Sequence, residues 1–145
     1  MTMVGTITVV GLVVLAGLIV LFVRTRTSDL LEEIMAKRRP SSKLVSRADY
    51  IEGLERMQVA LALTEDKFYY ENPDLNALFD LSMIDEVEYD DELATGRPVE
   101  QGCRALRLRS HGTTFEFILS PQDCPKWMAA LPQRRANDAQ AKAAV

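Results

Sequence analysis

Hydrophobic positions along the chain fall into three regimes. From Val4 to Val23 the sequence VGTITVVGLVVLAGLIVLFV is apolar without one charge. A helix rises about 1.5 Å per residue, so this run is about 30 Å long, the thickness of a bilayer's hydrocarbon core. Its two polar side chains, Thr6 and Thr8, can return their hydroxyls to the helix's own carbonyls. From Ser28 to Arg39 the period is helical: Leu30, Leu31, Ile34 and Met35 form one stripe, acids cluster in the first turn and bases in the last. Asp29 followed by Glu32 resembles a capping box and Pro40 stops the pattern, which predicts a separate short juxtamembrane helix.

From Leu44 the period becomes two, the mark of half-buried strands. Short strands are predicted at 51–54, with Gly53 as a bend, and at 57–64, where Met57, Val59, Leu61 and Leu63 alternate with Gln58, Ala60, Ala62 and Thr64. Further strands follow at 68–71, at 75–81 and, after a bend where the spacing stretches to three, through Tyr89. An acidic loop spans 90–102. Residues 104–109 and 113–119 form a hairpin about Ser110-His111-Gly112. Ser120 or Asp123 then caps a helix carrying Trp127, Met128 and Leu131, which Pro132 ends. The Ala-rich segment 133–145 reads as a flexible tail.

This divides the chain into an anchor (1–27), a juxtamembrane helix and linker (28–43), one small domain (44–132) and the tail. The fold class is α+β, mainly β. A cleaved signal peptide fits the apolar run poorly, because the MTM flank carries no side-chain charge and Arg24-Thr25-Arg26 follows in place of a small-residue cleavage site. Arg24, Arg26, Lys37, Arg38, Arg39 and Lys43 all lie after the run. By the positive-inside rule the domain is then expected in the cytoplasm and the N-terminus outside. Arg24, Arg26, Lys37, Arg38 and Arg39 are the candidate membrane-surface residues, although the juxtamembrane stripe reads better as a spacer packing on the domain or on a partner than as lying on headgroups. Cys103 and Cys124 are expected as free thiols, a disulfide between them requiring the reverse orientation. The span's glycines at 5, 11 and 17 do not share a helix face, so no dimer seam is read there.

Order and spacing from Ala60 to Leu131 resemble the pleckstrin-homology-like superfamily, close to its GRAM and bacterial variants. ALALTEDKFYYEN resembles the family's hairpin, ALFDLSMIDEVEYDDE its next strand with Met83-Ile84-Asp85 at the step, LRLRSHGTTFEFIL its late hairpin, and DCPKWMAAL its closing helix with one core tryptophan, Trp127. The resemblance implies an antiparallel β-sandwich or near-barrel of six or seven strands, plugged at one end by the C-terminal helix. An OB-like barrel is the alternative. It also implies headgroup binding through bases near the first hairpin, but there Lys67 stands alone beside Glu65 and Asp66. Residues 45–132 hold 8 bases against 17 acids, a net of −9, which phosphates and an anionic leaflet repel.

Little catalytic chemistry is present. His111 is a lone histidine in a turn, Cys103 has no base arranged beside it, and the acidic run 85–92 lacks the order of a calcium loop, so neither cofactor nor metal is expected. Arg104, Arg107 and Arg109 are the domain's basic cluster. They are expected either to pair with acids across the sheet or to receive an anionic group from a partner. The chain therefore reads as a single-pass inner-membrane, non-catalytic binding or scaffold module for a protein partner, with no nucleic acid expected as a partner. Headgroup sensing at the inner leaflet and service as an accessory subunit of a membrane complex are the alternatives.

Overall fold

The computed structural model describes residues 2–136, with side chains from Val9 onward. One helix, α1, runs from Thr2 to Arg38 without interruption. It contains a stretch long and apolar enough to cross a membrane, none of it buried in the protein. The anchor and the expected juxtamembrane helix are thus one rod of about 55 Å. The reason lies in the join: no Gly or Pro occurs between Gly17 and Pro40. Thr25 and Thr27 return their hydroxyls to the carbonyls of Leu21 and Val23 (2.5 and 2.9 Å), so Asp29 starts nothing. Pro40 enters a 3-10 turn at Arg39–Ser41 and ends the rod as expected.

Seven antiparallel strands follow: β1 (Leu44–Glu52), β2 (Glu55–Leu63), β3 (Lys67–Asn72), β4 (Leu75–Asp80), β5 (Glu86–Asp90), β6 (Arg104–Ser110) and β7 (Thr113–Leu119). They form one curled sheet in the order β4-β3-β2-β1-β7-β6-β5, in which the first and last strands pair, Ala48 opposite Leu119 and Tyr50 opposite Phe117. The expected bend after Leu81 is a 3-10 turn at Leu81–Met83. The β6–β7 turn places His111 and Gly112 both at positive φ (49° and 78°), the backbone a two-residue hairpin needs to match strand twist.

The concave face carries the core. Tyr50, Leu61, Phe68, Tyr70, Leu106 and Phe117 are buried there, and their aromatic rings meet at 5.2–5.4 Å, within the range of favourable ring contacts. A short helix, α2 (Cys124–Ala130), closes one end of this half-barrel with Trp127 fully buried. The indole N–H donates to Ser46 Oγ at 2.7 Å, so the core anchor also satisfies the serine hydroxyl that β1 turns inward. Asp123 stands at the start of α2 without capping it, because its carboxylate accepts from the Ser120 hydroxyl instead.

Past α2 the chain departs from expectation. Residues 133–136 are not loose: Arg134 bridges Val87, exchanging both backbone hydrogen bonds (2.8 and 2.9 Å), and so covers the outer edge of β5. The rest of the expected tail, 137–145, lies outside the described residues.

Candidate functional site

The convex face of the sheet holds the second core. On β2, Val59, Leu61 and Leu63 point inward, which leaves Ala60 and Ala62 on the outside, yet both are buried. What covers this face is the last third of α1. Leu31 and Met35 pack on Ala60, with Ile34 and Val45 at the margin. Small side chains on β2 let the helix approach the sheet closely.

Polar contacts fix the helix at both ends of this seam. Arg38 forks onto Glu71 of β3, Nε to Oε2 at 2.8 Å and the terminal amino group to Oε1 at 2.5 Å, while its guanidinium lies 3.9 Å from the centroid of the Tyr69 ring. Glu71 is only 6 % exposed, and this pairing supplies its counter-charge. One guanidinium thus combines a bidentate salt bridge with a cation–π contact, which lysine could not reproduce. Toward the other end, Arg47 of β1 donates to the Ser28 hydroxyl (2.8 Å), the Ser28 carbonyl (3.1 Å) and Glu32 (3.3 Å). Arg39 also reaches Glu32, at 2.7 Å. Hydrogen bonds from Arg39 and Arg47 hold the Glu32 carboxyl below its ordinary pKa.

Those contacts relocate part of the expected membrane-surface set. Lys37, Arg38 and Arg39 sit about 20 Å further along the rod than Arg24 and are taken by Glu33, Glu71 and Glu32. Arg24 and Arg26 stay at the end of the apolar stretch, with no ion pair among the described residues. None of the Arg38 and Arg47 pairings is visible in local sequence, since partners lie up to 33 residues apart. The one local hint was β2 itself, apolar on both faces.

Arg104, Arg107 and Arg109 do not form one cluster. With a side-chain period of two, Arg104 shares the face of Leu106 and Leu108, while Arg107 and Arg109 point outward. Arg107 stands between Glu88 and Glu116 in register and binds both (2.8 and 3.3 Å), with Asp90 at 3.4 Å. Arg109 faces Glu86 across the ladder (3.5 Å) and Arg104 reaches Asp91 (3.4 Å). All three are engaged by carboxylates of the domain itself. The outward acids of β5 are the other half of this ladder. Backbone N–H groups of Glu92 and Asp91, with Arg107 adding to them, hold the Asp90 carboxyl low.

No group of three or more His, Cys, Asp or Glu side chains that could hold a metal occurs among the described residues. Cys103 is half-buried, Cys124 is buried, and both are free thiols. Desolvation raises both thiol pKa values, which disfavours the nucleophilic thiolate. A cleft lies between α1 and the tips of two hairpins, lined by residues 19–30 on one side and by residues around Glu52 and Asp74 on the other. Comparison with models of known protein families, with curated proteins and with solved structures finds no match.

Proposed function

We propose that the chain is a single-pass protein of the cell's inner (plasma) membrane. It holds a pleckstrin-homology-like domain on the cytoplasmic side as a non-catalytic docking module for a protein partner. Support for the anchor comes from the length and apolarity of α1 and from the bases that follow its apolar stretch. Support for the domain class comes from the strand order, the pairing of first with last strand and the closing helix with Trp127.

The observation that carries the functional reading is the seam between α1 and the sheet. A rod that leaves the bilayer and is locked onto the domain by Leu31, Arg38 and Arg47 presents that domain in one orientation. A flexible tether would only localise it; a fixed one also orients it, which lowers the cost of ordering a complex. The surface offered to a partner is the outer edge of β4. Arg134 bridges the other sheet edge, at β5, whereas among the described residues no bridge covers β4, whose Leu78 is exposed.

Headgroup sensing through Arg104, Arg107 and Arg109 is less well supported, because each is already held by an acid. The test is a photo-crosslinking residue placed in turn at Leu78, at positions in the span and at Arg109, in the full chain in its native membrane. A discrete protein adduct from position 78 is expected. Adducts from the span alone would favour the accessory-subunit reading, and lipid adducts from position 109 the headgroup reading; either overturns the proposal.

A further inference from the structure

The cleft between α1 and the hairpin tips, of about 1010 Å³, matches the upper end of small-ligand pockets, about 300–1000 Å³. One wall is the end of the apolar stretch, including Val23, followed by Arg24 and Arg26. The opposite wall is Glu52 at the end of β1 and Asp74 in the β3–β4 turn. If α1 spans a membrane as proposed above, this wall of the cleft opens directly into the bilayer at headgroup depth.

Charges of both signs line the cleft. Every base from Lys37 to Arg56 has a carboxylate within ion-pair distance. Arg24, Arg26, Glu52 and Asp74 have none among the described residues. Two cations and two anions thus face one space without neutralising each other. A purely anionic ligand would satisfy the arginines and leave Glu52 and Asp74 opposed to it.

We propose that the cleft seats a zwitterionic phospholipid with a primary ammonium, drawn from the leaflet on the domain's side. Its phosphate lies toward Arg24 and Arg26, its ammonium toward Glu52 and Asp74, and its upper acyl chains along the apolar wall. The primary ammonium donates hydrogen bonds to carboxylates, which a choline group cannot do, and a glycerol headgroup carries no cation at all. The inference rests on the membrane reading of α1 and is independent of the protein partner.

The test uses the full chain reconstituted in vesicles of equal parts phosphatidylethanolamine, phosphatidylcholine and phosphatidylglycerol, released into mild detergent, with retained lipid counted by native mass spectrometry. Phosphatidylethanolamine is expected to be retained about fivefold over the other two. Glu52→Gln with Asp74→Asn removes that preference, and Arg24→Gln with Arg26→Gln removes retained phospholipid altogether. Because the arginine pair also forms the positive flank of the span, the acidic pair carries the discrimination. Retention of the three lipids in the proportions supplied, or a preference unchanged by the acidic pair, overturns the site. Alkaline carbonate extraction of the same vesicles separates the two failures. A chain that washes off overturns the membrane reading, whereas one that stays without lipid preference overturns the cleft alone.

Discussion

At the scale of single residues, the buried tyrosines of the concave face set a limit on alkaline stability. Burial, with the Tyr50 and Glu52 charges adding to it, pushes the Tyr70 hydroxyl up to about 12, and burial likewise raises Tyr50 and Tyr89. The unfolded chain ionises these groups near 10, while the folded one keeps them neutral. The contribution of Tyr70 to stability is therefore complete below pH 10 and is lost as the pH rises from 10 toward 12, by at most about 1.4 kcal/mol per unit, and those of Tyr50 and Tyr89 are lost in the same direction. Chemical unfolding at stepped pH, read beside tyrosinate absorbance, should show this loss, and Tyr70→Phe should flatten it. A stability constant from pH 9 to 12 would mean the rings are not buried as described. Trp127 was legible at this scale as the core anchor, since a single large residue in a closing helix has few other uses. The engagement of Arg38 was not legible, because its stacking partner and its carboxylate both come from β3.

Strands β2 to β7 and helix α2 were legible because large apolar side chains recur at strand or helix spacing with small or polar residues between them, a pattern that survives on β2 even though α1 buries its outer face as well. β1 was seen only at its end. Its inward face includes Ser46, which Trp127 satisfies, and its outward face includes Val45, which α1 covers, so the alternation is blurred at both faces. The same seam explains the misplaced break in α1: a polar Arg-Thr-Arg-Thr-Ser stretch reads as a boundary, but nothing in it breaks a helix. Leu31 is 0 % exposed, and Leu31→Ala should cost about 2–4 kcal/mol and release residues 28–38 from the sheet. Hydrogen exchange across that segment in detergent checks it; unchanged protection would mean that the seam is not held by packing. Ending the chain after Pro132 removes the Val87–Arg134 bridge, at about 1–2 kcal/mol, and bares the edge of β5. Sedimentation should show the shortened protein more associated than the full chain.

For the whole molecule, if α1 spans a bilayer as proposed, the rod fixes which end of the domain meets it. Residues from the end of the apolar stretch share the cleft with Glu52 and Asp74, so on that reading the β1–β2 and β3–β4 tips point toward the lipid. Leu54, at the first of these tips, is 88 % exposed, a costly place for leucine in water and a favourable one at an interface. Trp127 lies at the opposite end, bonded to Ser46. From Ser46 to Gly53 the strand runs about 23 Å at about 3.3 Å per residue, which separates the two ends by more than the depth of a headgroup layer. The domain's acidity makes the arrangement informative, since a net of −9 would push a freely tethered domain away from an anionic leaflet. A fluorophore on Leu54→Cys, in a Cys103→Ser background, should be quenched by lipid-attached nitroxide, while the intrinsic fluorescence of Trp127 should not. Raising ionic strength should leave both signals in place, because packing and the Arg38–Glu71 fork, not surface charge, set the orientation. Equal quenching at the two ends, or loss of the Leu54 signal in low salt, would mean that the domain swings on its anchor.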